Sequence, residues 1–510
     1  MKKRLYKIIF AALIAVMIFS LASCITKIPG GDSSADVIGN GSLVVQQGEY
    51  IYFVNGKTTL TADNKSGNVV KGAIMRSKID SDGNIVGGLE TIIPQAFFTD
   101  YADGGLYIFG EWIYYVTPNP SKDKNGNVLS SQTLVMRTKI DGTKTKKIAT
   151  IKSASVKYKV TENYFIYLDG TDLKAIDLKK NNFKITTVDT GVANFLVPKA
   201  PYYSKNGFPD IWNYVVYTKN SGETKTGYTH NEIKATNGKD IKTLVSDNAY
   251  FIDKTSWFGA DDLKYRVYNY TPVSAKFDGA NLIVYANRQH LDTAGNNAEG
   301  LFVYTFAEGN YSFNRDTVKY IASAAQTVFV PVAGGILVSE NSTVLYYSGD
   351  LERNAYHEGA KDTLPKPVKV YGGAATLLSV KSMGEDGRYN VIFHNGSGKL
   401  CAVKINIYNG AIADEKGEYS SFAPEDKVKV LIMSGFDGTW NAPIFRTHGK
   451  IEYLYFIYNN NYDYLHRIVL TGEEGYLPAE DWEDSVLQRL GKFSGDDQTA
   501  YDAREKEENK

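Results

Sequence analysis

The chain has 510 residues and carries 57 Lys and Arg against 57 Asp and Glu, so its formal net charge is zero. That balance argues against a nucleic-acid partner, since proteins that bind nucleic acid carry a basic excess. Thirty-seven Tyr and 23 Phe stand against 14 Pro and 6 Met, a balance that suits pleated, half-buried surfaces, and apolar runs at helical spacing are nearly absent.

The N-terminus opens with Lys2, Lys3, Arg4 and Lys7, followed by the uninterrupted apolar segment from Ile8 to Phe19. A positive start, a short apolar core and small residues before a cut make a secretory signal peptide over residues 1–23. The apolar segment falls short of the roughly 20 residues that span a bilayer as a helix, and nothing later in the chain is apolar enough to do so. The segment ends in Leu21-Ala22-Ser23-Cys24, which resembles the lipobox of bacterial lipoproteins. That resemblance implies cleavage before Cys24 and acylation of its thiol and new amino group with palmitate-type chains. The mature protein would then sit on the extracytoplasmic face of the cell membrane. Two or three acyl chains exceed the single chain that gives reversible binding, so the anchor would be stable. Residues 24–41, rich in Gly, Ser and Asp and without periodicity, are expected to form a flexible tether. With Cys24 acylated, Cys401 has no cysteine partner within the chain, so no intramolecular disulfide forms and burial must hold the fold.

From residue 42 the chain repeats itself. Gly48-Glu49-Tyr50-Ile51-Tyr52-Phe53-Val54 is echoed by Gly110-Glu111-Trp112-Ile113-Tyr114-Tyr115-Val116, and Met75-Arg76 aligns with Met136-Arg137. Fainter copies begin at Glu162, Ile211, Ala280, Gly334, Gly387 and Gly449. Eight units result, with a mean spacing of about 57 residues, enough for four short strands and their loops. Aromatic or β-branched residues alternate with polar ones, and Asp-Gly or Asn-Gly turns separate the runs. Radial packing covers the faces of such repeated antiparallel units. The expectation for residues 42–478 is therefore an all-β protein, a β-propeller of eight blades of four-stranded antiparallel sheets. Seven blades is the alternative if the irregular copy at Gly334 is an elaborated hairpin. Closing the ring would require residues Ser42 to Gln47 to meet the last repeat. The Tyr-rich pattern resembles propeller repeats common in extracytoplasmic proteins of Gram-positive bacteria, cousins of the TolB-type repeats. The resemblance implies fold and no catalytic residue. Residues 479–494 are read as a short amphipathic helix capping the propeller, and the charged, apolar-poor stretch 495–510 as a disordered tail.

Chemical motifs are sparse. There is no G-x-S-x-G elbow, P-loop or dinucleotide fingerprint, and His357-Glu358 does not continue to a second zinc-binding His. The histidines (His230, His290, His357, His394, His448, His466) are scattered over different units, and all but one are expected to be solvated or simply hydrogen-bonded. Asp80-Ser81-Asp82-Gly83-Asn84 and Asp123-Lys124-Asn125-Gly126-Asn127 look like the first halves of calcium loops. Neither completes with a terminal Glu, so both read as turns and no metal is expected. Cys401 lies in an alternating apolar run and reads as a small buried hydrophobe. The run from Ile451 to Ile468 offers either sugar-stacking platforms or, as the plainer reading, blade-interface tyrosines. Trp112, Trp212, Trp257, Trp440 and Trp482 do not recur at blade spacing, unlike the docking tryptophans of quinone-dependent propellers. No catalytic residue and no cofactor are assigned. The expected function is that of a monomeric, lipid-anchored binding or scaffolding module for an envelope protein or polysaccharide. The alternatives are a glycan hydrolase or lyase, with paired carboxylates at the channel, and a sensor or accessory subunit of a membrane complex.

Overall fold

The structure, a computed structural model, describes residues 31–56, 72–93, 96, 105–154, 156–198, 202–203, 209–225, 228–245, 267–291, 297–307, 309, 311, 318–322, 328–348, 350–354, 367–383, 387–408, 411–413, 428–432, 436–439, 442–458, 461–470 and 487–490. The proposed signal peptide, Cys24 and the 495–510 tail lie outside these residues.

Alternation along the strands decides the architecture. In Thr343–Ser348, for example, every second side chain is buried, the pattern of a strand with one face on a core. Eight antiparallel sheets result, each with a core of strands consecutive in sequence, and they form an eight-bladed β-propeller; Asp350–Asn354 adds an outer strand to blade 5 from beyond the third strand of blade 6. Blade 1 comprises Val44–Gln47, Tyr50–Asn55, Ala73–Ile79 and Ile85–Ile93. Blade 2 comprises Tyr107–Phe109, Trp112–Pro118, Thr133–Lys139 and Thr145–Ile151. Blade 3 runs through Tyr158–Val160, Tyr164–Asp169, Asp172–Asp177 and Ile185–Asp189, and blade 4 through Val192–Leu196, Val215–Lys225, Tyr228–Thr236 and Ile241–Val245. The second strands of blades 5 to 8 are Asn281–Leu291, Gly335–Glu340, Arg388–Asn395 and Ile451–Tyr458. Every sequence repeat therefore begins on or just before the second strand of a blade. The irregular copy at Gly334 is a complete blade, with Phe329–Val332, Thr343–Ser348 and a short outer Val368–Lys369 around its second strand.

The seams carry the core. One apolar cluster joins blades 8, 1 and 2, through Ile51, Phe53, Tyr453, Tyr455, Ile108 and Ile113 among others. Further clusters join blades 2 and 3, 3 and 4, 4 and 5, 5 and 6, 6 and 7, and 7 and 8. Each large apolar side chain so buried contributes about 1.5–3 kcal/mol.

Strand sense sorts the loops. First-to-second and third-to-fourth connections lie on one face of the ring, here the turn face, and the remaining connections on the other. First strands are buried in blades 1 to 3 and largely half-buried in blades 6 to 8, whereas outer strands begin exposed, as in blade 1, where Val44–Gln47 is largely buried and Ile85–Leu89 is exposed. The first strands thus line the axis.

Two expectations need correction. The stretch read as a flexible tether is already built into the fold at its C-terminal end: Val37–Ile38 is a strand on the axial edge of blade 1, opposite Gln47 and Gln46. A free inner edge offers unpaired backbone groups, and the arm satisfies them. At the other terminus, within the segment read as a capping helix, Leu487–Leu490 is a strand. It pairs with Leu465–Ile468 as the outer strand of blade 8. The sheet's need for a fourth strand overrides a short amphipathic pattern.

Candidate functional site

The axis is the first place to look for a site in a ring, and here the chain itself enters it. Opposite its pairing with blade 1, Val37–Ile38 pairs with Tyr202–Tyr203, which belongs to the first-to-second connection of blade 4. One side of the ring is thereby braced to the other through a three-strand bridge. The same connection is held at its far end. A 3-10 turn, Asp210–Asn213, places Trp212 so that its indole Nε1 donates to the Gly279 carbonyl of blade 5 at 3.0 Å. From blade 3, Lys159 Nζ donates to the carbonyls of Trp212 and Tyr214, the latter at 3.0 Å, and lies 5.4 Å from the Phe277 ring centre. Burial with no carboxylate beside it pulls the Lys159 ammonium down to about 7. It is a titratable group at the axis, engaged in holding a loop.

The aligned Met-Arg pairs of the repeat do a defined job. Arg76, wholly buried, sits 4.3 Å from the Tyr50 ring centre, pairs with Glu90 at 2.7 Å and donates to the Ile140 carbonyl in the third-to-fourth turn of blade 2 at 3.2 Å. Arg137 sits 4.1 Å from the Trp112 ring and donates to Asn181 Oδ1 in the equivalent turn of blade 3 at 3.2 Å. Arg467 of blade 8, which the sequence comparison did not pick out, sits 4.4 Å from the Tyr453 ring and donates to the Gly83 carbonyl of blade 1 at 2.8 Å. Each arginine stacks on an aromatic at the start of its own second strand and reaches the turn of the next blade. What the three share is register and not linear spacing: each arginine lies opposite the residue two places after the aromatic, at Tyr52, Tyr114 and Tyr455.

The last of these contacts closes the ring. Among the described residues no strand is shared between blades 8 and 1. Instead Arg446 Nη2 donates to Ser42 Oγ and to the Val44 carbonyl, both at 2.9 Å. Tyr453 Oη donates to the Asp82 carbonyl at 2.8 Å, and the Leu465 amide to Asn55 Oδ1 at 3.2 Å. The Ser42–Gln47 segment meets the last repeat, as the sequence required, through an arginine rather than a ladder. His448 lies in this seam, 4% exposed, its ring 5.5 Å from Tyr453. Burial first, then the positive charges of Arg467 and Arg446, pull its imidazole down to about 4.

The half-calcium loops are built as self-closing turns. Asp80 Oδ1 accepts the amides of Asp82 and Asn84, both at 2.9 Å, while Oδ2 accepts Asn84 Nδ2 at 3.0 Å. Asp123 repeats this with Asn125 and Asn127. Gly83, at φ +82°, also presses against blade 8: a Cβ there would lie 2.6 Å from His448 Cδ2. Gly126, at φ +86°, faces open space. The first loop is a docking element and the second a free turn. No group of three or more His, Cys, Asp or Glu gathers to hold a metal among the described residues.

The other residues singled out in the sequence disperse. Cys401 is 1% exposed in the apolar seam of blades 6 and 7, where burial pushes its thiol up to about 11. His466 is wholly buried, its ring stacked 6.1 Å from Phe456, and His394 lies 6.4 Å from Phe436. His448 and His466 are thus both core residues, more than the one exception the sequence allowed for. His357, Trp257, Trp440 and Trp482 fall outside the described residues, as do the side chains of His230 and His290. Tyr453 and Tyr455 of the aromatic run are buried in the seam with blade 1, the blade-interface role. Sequence reading missed a charged cluster between blades 3 and 4. Tyr217 Oη donates to Asp189 Oδ2 at 3.0 Å, and Lys219 Nζ pairs with Asp189 Oδ1. Burial works to raise the Asp189 carboxyl, but hydrogen bonds from Lys219, Thr190 and Tyr217 outweigh it and hold it low. These residues sit on separate blades, so no local motif announces them.

Neither a known protein family nor a curated protein matches the sequence. Solved structures do. Dipeptidyl peptidase 4 of Porphyromonas gingivalis matches 88% of this chain at 10% identity and a TM-score of 0.37. The chain spans 59% of that peptidase, less than two thirds of its length. The β-propeller domain of the trilobed protease from Pyrococcus furiosus matches 91% of this chain and 97% of its own, at 8% identity and a TM-score of 0.34. The periplasmic gluconolactonase of Pseudomonas aeruginosa matches 87% of this chain and 96% of its own, at 8% identity and a TM-score of 0.35.

Proposed function

We propose that this protein is an extracytoplasmic, lipid-anchored propeller that acts as a binding or scaffolding module for a component of the cell envelope. The observation that carries the reading is the N-terminal arm. Val37–Ile38 is fixed to the axial edge of blade 1, so a chain acylated at Cys24 would be held through the centre of the ring and not by a loose end. The lipobox-like Leu21-Ala22-Ser23-Cys24 supplies the anchor. The titratable groups described above favour binding over catalysis, because Arg76, Arg137, Arg467, Lys159 and Asp189 are engaged in contacts between blades.

The test is expression of the wild-type chain and of Cys24→Ala in a bacterial host fed labelled palmitate. The wild-type chain should take up label and fractionate with membranes. The Cys24→Ala chain should take up none; its uncleaved signal segment keeps it with membranes, so the label and not the fraction reads the anchor. In-cell cross-linking of the anchored chain should then return one dominant envelope partner. Label-free wild-type chain would overturn the anchor, and turnover of an envelope glycan would replace the binding reading with an enzymatic one.

A further inference from the structure

Charge is balanced over the whole chain but not over the third-to-fourth turns of blades 2 to 4, although Glu49, Glu111, Glu162 and Asp210 lie in first-to-second turns of the same face. The third-to-fourth turns of blades 2, 3 and 4 are neighbours on that face, and they are rich in lysine: Lys144, Lys146 and Lys147 in blade 2, Lys179, Lys180 and Lys184 in blade 3, Lys239 and Lys242 in blade 4. Acidic residues in the same turns are fewer, namely Asp141, Asp177 and Asp240. Adjacency is direct between blades 2 and 3, where Lys146 Nζ reaches the Asn181 carbonyl at 3.4 Å and the Phe183 ring centre at 4.7 Å. Lys144, Lys147, Lys179, Lys180, Lys184 and Lys239 are exposed and make no ion pair among the described residues. The equivalent turn of blade 1, Asp80 to Asn84, has the opposite sign. The lysines form a basic crescent over three blades.

A second feature coincides with the first. Where the outer strands leave the lysine turns, Ile185 is exposed at 45% and Ile241 at 43%; Ile85, Val86 and Leu89 are also exposed but belong to blade 1. Ile185 follows Lys184, and Ile241 lies two residues after Lys239. Exposed aliphatic groups beside unpaired lysines match the chemistry of a lipid interface, with cations at the headgroups and short apolar groups between them.

A third places the crescent toward the membrane. The arm approaches from the turn face: Gly31 lies beside Tyr52, Arg76 and Ile140, and Ala35 beside Gly48 in the first turn of blade 1. Seven residue steps separate Cys24 from Gly31, a reach of about 25 Å at most. Resting on the anchoring proposed above, we infer that the third-to-fourth turns of blades 2 to 4 lie against the membrane, with their lysine crescent on anionic phospholipid headgroups. The opposite face, carrying the Asp123 turn, points away and is left for the partner.

The experiment uses the mature Cys24→Ala chain, residues 24–510, which carries neither an acyl group nor the apolar Ile8–Phe19 segment, so that the crescent is read apart from the anchor. Co-sedimentation is measured with vesicles of phosphatidylglycerol and phosphatidylcholine, with vesicles of phosphatidylcholine alone, and in the presence of soluble polyphosphate. The chain should bind the anionic vesicles and not the neutral ones, and binding should weaken as salt rises. Changing Lys144, Lys147, Lys180 and Lys184 together to Gln should lower partitioning about tenfold or more. Lys122→Gln with Lys124→Gln, on the opposite face, should leave it unchanged, and matched thermal unfolding of both variants shows that they fold. Equal binding to neutral vesicles, an unaffected lysine variant, or tighter binding to polyphosphate than to vesicles would overturn the inference. Absence of palmitate label on the wild-type chain would instead overturn the anchor while the vesicle result stands.

Discussion

A neutral imidazole beside two guanidinium groups makes His448 a measurable reporter of the closing seam. In the folded chain it titrates near pH 4, whereas an unfolded histidine titrates near 6.5. Folding therefore favours the neutral ring, and its stability contribution is whole above pH 6.5. As pH falls toward 4 the unfolded chain takes up a proton that the folded chain refuses, and about 3 kcal/mol is lost. Urea titrations at pH 7 and pH 4.5 should show a fall in stability that His448→Gln reduces by most of that amount; an equal fall in both proteins would refute the assignment. At this scale the sequence was partly legible. Met75-Arg76 and Met136-Arg137 aligned by eye, but an alignment cannot show that the guanidinium crosses to another blade. Asp189 with Tyr217 and Lys219 was invisible, because the partners lie in different repeats.

Short elements explain where sequence reading erred. Val37–Ile38 has only two residues, too few to display a period, and its strand conformation is imposed by the edges of Gln46–Gln47 and Tyr202–Tyr203. Glycine and serine on both sides made it look like linker. Leu487–Leu490 went the same way: its pattern suits a helix, and blade 8 made it a strand. The second strands were read correctly because each carries a short run of β-branched, aliphatic or aromatic residues opened by a Gly, Asn or Glu turn, too short for a helix and buried on both faces, as in Tyr50–Asn55 and Trp112–Pro118. Val37→Pro removes a backbone donor between two neighbouring strands and costs about 1–3 kcal/mol. Amide exchange at Gln46–Gln47 and Tyr202–Tyr203 should quicken while Val391–Phe393 in blade 7 stays protected. Unchanged exchange at those four amides would show that the arm is not part of the ladder.

As a whole, the molecule is a ring whose first and last blades meet through side chains. Between blades 2 and 3 the chain itself is the link, so deletion of Arg137 leaves that seam covalently tied. Between blades 8 and 1 no such tie exists, and Arg467 is buried there against a backbone carbonyl. Arg467→Ala should cost about 3 kcal/mol, as expected for a buried hydrogen-bonded charge removed from its partners, and Arg137→Ala distinctly less. In mild urea, small-angle scattering should show the radius of gyration rising for Arg467→Ala before unfolding, with no such step for Arg137→Ala. Equal behaviour would mean that the apolar seam alone closes the ring. Blade number was legible because eight repeats each carry a hydrophobic second strand; the mode of closure was not, since it depends on single side chains far apart in sequence. The axial strand has one more consequence, a mechanical one. Tension on the N-terminus reaches Val37–Ile38 along the strand, between two ladders, so their bonds are loaded in shear and must fail together. A pull that would peel an outer strand bond by bond is instead delivered to the middle of the ring, and the blades can bear it without unzipping.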